Sequence, residues 1–274
     1  MMSVAWLEAL QFLAAPFLMC LILAGIHCYL GLHVLARGVI FVDLSLAQVA
    51  AFGATLAIFF GFEHGSAASY LVSLICTFIA AALFALARRY ERQFSQEAII
   101  GIVYALASAA VVLVVDRVAH GAEHIKDILV GQLLWVTWFD VIKTSLIYGC
   151  VGSIHYAFRK QLLAASFESR PGHSGFWDFV FYALFGVVIT SSVSVAGVLQ
   201  VFAYLIVPAL VGSVLFSSIR ARLIFGWLLG FVLSFAGLFF SYLWDLPAGA
   251  FIVVCFASLP ILILLLKALR NAAA

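Results

Sequence analysis

Nine apolar runs follow one another along this chain, at about residues 10–33, 39–62, 67–87, 98–118, 136–158, 177–196, 198–216, 223–244 and 248–267. Each is close to the ~20 residues that an α-helix needs to cross a bilayer. The expected fold class is therefore all-α, a polytopic transmembrane helix bundle of about nine spans. The count is eight to ten according to how 177–216 divides, because Gly197 and Pro208 interrupt that run and allow one span plus a broken or re-entrant helix. With 66% hydrophobic residues, 9% charged and a mean hydropathy of +1.22, the chain is excluded from the soluble globular class, where about a quarter of residues are charged. Residues 1–274 carry no Pro- or Ser-rich linker and are expected to form a single transmembrane domain. The opening MMSVAWLEALQF lacks a basic n-region and a small-residue cleavage site, so the first span is expected to be retained. Cys20, Cys28, Cys76, Cys150 and Cys255 lie mainly in apolar runs without CxxC spacing and are expected as small packing residues rather than disulfides or zinc ligands.

Charge placement orients the bundle. With the amino terminus outside, the cytoplasm receives Arg37, Arg88, Arg89, Arg92, Arg159, Lys160, Arg170, Arg220, Arg222, Lys267 and Arg270, eleven of the fourteen Lys and Arg, as the positive-inside rule requires. The carboxyl terminus is then cytoplasmic. The outer loops are acidic, with Glu63, Asp116, Glu123, Asp127, Asp140 and Asp245, a weak attraction for arriving cations or an ordinary solvated surface. The small residues Gly226 and Gly230, and the series Ala50, Gly53 and Ala57, let backbones approach closely. Packing within one bundle is preferred for them over a dimer seam.

Asp43 is the carboxylate inside the run 39–62, six residues past Arg37. A bare charge there is costly and by default marks a functional site. Either it faces a bundle interior or a water-filled path, with Ser45 and Gln48 adding oxygen donors for passing cations, or it is a structural residue bonded to a neighbouring helix or solvated at the interface. His120, Glu123 and His124 put two imidazoles and a carboxylate on an outer loop, ligand types that suit zinc and other transition metals; the rival reading is a plain polar loop. His27 with Cys28 reads as a satisfied core pair, and Glu97 as a capping carboxylate at a helix start. The stretch 159–177, RKQLLAASFESRPGHSGFW, carries an amphipathic face of Leu162, Leu163 and Phe167 that lies on the membrane, docks into a partner's groove, or merely connects. No GxxxxGK[ST], HExxH or GxSxG occurs, so the chain is expected to be no enzyme, and its energy must come from a partner or an ion gradient.

Four segments in order resemble one family. GLHVLARGVIFVD (31–43), IKDILVGQLLWVTWFD (125–140), GVLQVFAYLIVPALVG (197–212) and SYLWDLPAGAFIVV (241–254) are similar to elements of the membrane permease subunit of ATP-binding-cassette importers for manganese, zinc and iron. The resemblance covers nearly the whole chain. It implies a fold like the type II importer permeases, and a homodimer in the bacterial inner membrane, surrounded by lipid, with its path at the dimer interface. It also implies cytoplasmic ATP-binding subunits and an extracytoplasmic metal-binding protein as partners. No nucleic acid and no permanently bound cofactor are expected, only a transported divalent metal ion. Ser166-Phe167-Glu168 looks like the family's coupling element, so Phe167, Glu168, Ser169 and Arg170 are implied to meet the ATPase. Glu168 stands where the family has Asp. The family also carries an Asp and a His four residues apart in its second span, whereas Val42-Asp43-Leu44-Ser45-Leu46-Ala47-Gln48 places Ala47 or Gln48 at the His position.

The expectation is a permease that moves zinc or manganese, before iron, into the cytoplasm. Its rivals are a permease for a metal chelate such as a siderophore or haem, which should show a wide path lined by aromatic and polar groups, a secondary carrier or scaffold working without an ATPase, and an intramembrane enzyme.

Overall fold

A computed structural model describes residues 2–63, 65–117, 129–167 and 175–272, with side chains from 11 to 271 within those ranges. The helices are α1 (Met2–Arg37), α2 (Val42–Phe59), α3 (Ala67–Arg89), α4 (Gln96–Val115), α5 (Trp138–Ala157), α6 (Arg159–Phe167), α7 (Gly175–Leu215), α8 (Ile219–Trp244) and α9 (Ala248–Ala272), with one 3-10 turn at Leu133–Trp135. No strand occurs among the described residues.

Short polar residues set the helix starts. Ser66, Ser95 and Ser218 each accept the backbone N–H three residues on, and Thr137 with Asp140 forms a reciprocal capping box at α5. The α8 helix ends where Asp245 turns left-handed at φ 52°, and Pro247 follows.

The α7 helix organises the bundle. Its 41 residues are interrupted at Gly197, whose φ of 75° and ψ of 164° belong to a region that side chains exclude. On the first arm, Asp178 meets Arg37, Phe181 meets His33 and Ser192 meets His27. This arm therefore runs antiparallel to α1. On the second arm, Gln200 meets Cys20, Tyr204 meets Cys28, and Leu210 and Ser213 share a cavity with Leu35 and Ala36, so it runs parallel to α1. The chain thus folds back at Gly197, and both arms return to the Arg37 end. Seven helices among the described residues are long and apolar enough to cross a membrane. Of these α7 makes two passes, and the 20-residue α5 packs alongside α1 through Tyr148 and His155, giving nine membrane-length segments. The ambiguous run 177–216 is two antiparallel arms.

The hairpin tip is closed by a second glycine. Gly131 and Gly197 lie backbone against backbone, and a Cβ on Gly197 would strike the Gly131 amide and the Val130 carbonyl. Gly197→Ala is expected to cost more than about 3 kcal/mol, from the 1–3 kcal/mol of backbone strain plus that overlap. Thermal unfolding in detergent checks it; an unchanged melting temperature would show that the tip relaxes freely.

The core runs along the inner faces of α1, α2 and both arms of α7, with Tyr182, Tyr204, Phe181, Phe185, Met19 and Leu46 fully buried. Gln96 ties α4 to its neighbours by donating to the Phe84 carbonyl at 3.0 Å and the Tyr182 hydroxyl at 2.8 Å. The small-residue positions are consumed within the chain. Gly53 abuts the Ser73 backbone, Gly226 abuts Cys28 and Pro208, and Gly230 abuts Ala24. Large apolar side chains such as Leu113, Phe139, Leu146 and Leu264 remain exposed, a surface that suits lipid rather than water. All five cysteines are free; Cys20 and Cys28 are buried, whereas Cys150 is exposed.

Candidate functional site

The α2 helix begins at the same end of the bundle as Arg37, and Asp43 sits in its first turn. The side chain is 1% exposed, and neither carboxylate oxygen has a hydrogen-bond partner among the described residues. The backbone amides of residues 43 and 44 and the Glu97 carboxylate are its closest electrostatic influences. Glu97 itself accepts the Phe41 N–H at 3.2 Å and so caps the start of α2 from the first turn of α4. Ser45 and Gln48 are buried too, and the Ser45 hydroxyl has no partner among the described residues. At 100° per residue, Ser45 and Gln48 share one face of α2, while Asp43 shares another with Ala47, Ala50 and Ala54.

A cavity of about 340 Å³ opens on that second face. Ala50, Ala51 and Ala54 form the α2 wall, Ser69, Tyr70 and Ser73 the α3 wall, Asp140, Lys143 and Thr144 the α5 wall, and Thr190, Ser191 and Ser194 the wall from the first arm of α7, with Gln132 and Trp135 at the tip. Ala50 is seven residues past Asp43, about 10 Å along the helix. The cavity and the buried carboxylate therefore lie in line. Lys143 projects toward the Tyr70 ring, 5.5 Å from its centre. Asp140 accepts from both the Thr137 amide (3.0 Å) and hydroxyl (2.6 Å).

A second polar centre lies at the Arg37 end. Arg37 donates to Asp178 at 2.7 Å and through Nε to the Ser166 hydroxyl at 2.9 Å, and its guanidinium rests 4.1 Å from the Phe181 ring centre. Arg88 reaches Asp178 at 3.5 Å and donates to the Ala165 carbonyl at 3.1 Å. His33 Nδ1 lies 2.8 Å from the Ser166 hydroxyl, and the His33 ring contacts those of Tyr29, His155 and Phe167. Together these groups seat α6 against α1, α3 and α7.

Of the coupling residues, Phe167 closes α6 and packs on His33; Glu168, Ser169 and Arg170 lie outside the described residues, as do His120, Glu123 and His124. His27 is satisfied by the Leu23 carbonyl and the Ser192 hydroxyl, and Cys28 points at the Tyr204 carbonyl. Among the described residues, no group of three or more His, Cys, Asp or Glu could hold a metal. Sequence reasoning missed Asp178 and His33. Both were visible as polar residues at the edges of apolar runs, His33 one turn before Arg37 and Asp178 opening the run 177–196.

Nine membrane-length segments around a folded-back helix, enclosing a polar cavity above a buried carboxylate, define an integral membrane protein of the transport class. The chain belongs to the ABC 3 transport family, whose model matches residues 9–267, and is thus a permease component. It is 23% identical to the probable iron transport system membrane protein of Haemophilus influenzae, over 84% of this chain and 80% of that one. It is 27% identical to the manganese transport system membrane protein MntC of Listeria monocytogenes, over 69% and 71% respectively. The solved structure of PsaBC from Streptococcus pneumoniae in complex with Fab shares the fold, with a TM-score of 0.75 at 20% identity over 94% of this chain and 93% of that one.

Proposed function

We propose that the chain is the permease of an ATP-driven importer that brings a transition metal, zinc or manganese before iron, into the cytoplasm. The observation that carries the reading is the family match along the whole helical bundle, joined to relatives named for manganese and iron transport. Two copies would form the pathway. ATP-binding subunits would dock at Phe167, Glu168, Ser169 and Arg170, and a metal-binding protein would meet the opposite end, where His120, Glu123 and His124 offer ligand types for a transition metal. The clustering of basic residues at the Arg37 end supports a cytoplasmic assignment for that end, and an outside amino terminus. Asp43 would guide the cargo toward the cytoplasm from the face of α2 on which the cavity opens, Ser45 and Gln48 turning to another face and standing outside that path, and closure of the ATPases would shift α6 and the helices seated on it.

The test is ATP-dependent uptake into vesicles holding the permease with its ATPase and binding protein, scanned over zinc, manganese, iron and an iron chelate. Saturable accumulation of a metal that requires ATP and both partners is expected. No accumulation in any form would overturn the reading.

A further inference from the structure

Two carboxylates converge at the start of α2 with no basic partner among the described residues. Asp43, 1% exposed, has both oxygens unpartnered there, and Glu97 keeps Oε2 buried and unpartnered as well. The other Glu97 oxygen, Oε1, accepts the Phe41 N–H at 3.2 Å. Asp43 lies two residues past Phe41, about 3 Å along the helix axis, and a helical side chain leans toward its helix N-terminus, here toward that same amide. Each carboxylate therefore lies within the other's field. The basic side chains at this end are committed elsewhere: both ion pairs among the described residues run to Asp178, from Arg37 and from Arg88. First-turn amides of α2 offset part of the Asp43 charge. The pair as a whole stays uncompensated, and like charges held together away from water call for a cation between them.

We infer that Asp43 and Glu97 together form a divalent-cation site at the cytoplasmic end of the path, from which the cargo is released. The inference rests on the metal-permease reading and names manganese within it. The free donors are both Asp43 oxygens and Glu97 Oε2, an all-carboxylate set that suits manganese, whereas zinc favours imidazole and thiolate. Such a set leaves the rest of the ion's shell to water, which holds an ion loosely enough to let it go. Position fits release too. Asp43 is buried below the cavity wall of Ala50 and Ala54, and Glu97 is only half-buried, so the two form a step from the interior toward water. Glu97 then has two roles, capping α2 through Oε1 and holding the ion through Oε2.

The experiment uses the permease with its ATPase subunits in nanodiscs, titrated with manganese chloride and zinc chloride, with manganese followed by electron paramagnetic resonance. Glu97→Gln is the informative variant, because its amide oxygen still accepts the Phe41 N–H while the charge is gone. Manganese is expected to saturate at one ion per protomer, with Glu97→Gln and Asp43→Asn each weakening it about tenfold or more, and the metal-free melting temperature of Glu97→Gln is expected not to fall. Manganese binding indifferent to Glu97→Gln would reduce Glu97 to a cap and overturn the inference. Absence of saturable manganese binding, as when the two carboxyls share a proton instead, would overturn it as well. Zinc binding that needs both carboxylates while manganese binding needs neither would overturn the assignment to manganese. In vesicles, manganese uptake that Glu97→Gln leaves unchanged would overturn the site while upholding the permease. Failure to take up any metal would overturn the permease reading, and the nanodisc titration would then decide the site by itself.

Discussion

Replacing Arg37 with methionine is expected to cost the protein about 3–5 kcal/mol, the range for breaking a buried ion pair by removing one partner. Arg37 is fully buried as a side chain and Asp178 nearly so, at 0% and 9%. Among the described residues, loss of the guanidinium leaves Asp178 with the longer ion-pair contact to Arg88, at 3.5 Å. It also strips the Ser166 hydroxyl of its contact with Arg37, leaving that with the His33 ring. The double variant Arg37→Met with Asp178→Leu is expected to recover most of the stability, because an apolar pair of similar volume avoids the desolvation of both charges. Transport is expected not to recover. The Arg37 network holds α6 to α1 and α7, so the double variant should fold and bind ATPase subunits yet move less cargo per ATP. Thermal unfolding in detergent, set beside the transport-to-hydrolysis ratio in vesicles, separates the two effects. Full recovery of both quantities would mean that the pair serves stability alone.

The helical class, the nine segments and the basic end were legible from the chain because they depend on composition and period alone, which hydrocarbon enforces strictly. The fold-back at Gly197 was only half legible. A glycine in an apolar run marks a break, but whether the arms diverge or reverse depends on Gly131, which lies 66 positions away and receives the tip backbone to backbone. Asp43 stood out because an intramembrane carboxylate is rare. Its register was less evident: only the continuous helix from Val42 to Phe59 shows that Ala47, Ala50 and Ala54, rather than Ser45 and Gln48, share its face. The cavity was illegible for the same reason. Its wall draws serines, threonines and alanines from four helices, residues that signal nothing singly. Arg37 read as a topological charge, yet it is buried, and that follows from Asp178 arriving on an arm whose direction the run of apolar residues does not specify.

Asp43→Asn is expected to stabilise the folded protein while impairing it as a transporter. The carboxylate is 1% exposed, and both oxygens lack hydrogen-bond partners among the described residues. Arg37, the basic residue six positions before it, is committed to Asp178 and Ser166. Burial of an uncompensated charge opposes folding, and the first-turn amides of α2 offset only part of that cost. A neutral amide of the same shape removes the charge and should raise stability by ~1–2 kcal/mol. A residue kept for structure would show the reverse sign. If Asp43 instead draws cargo out of the cavity above it, its loss should slow uptake by about tenfold, equivalent to some 1.4 kcal/mol at the barrier, with ATPase docking intact. A rise in melting temperature together with slowed uptake is the expected pair. A lower melting temperature with wild-type uptake would assign the carboxylate to the architecture of the α2 start, beside the Glu97 cap, and remove it from the path.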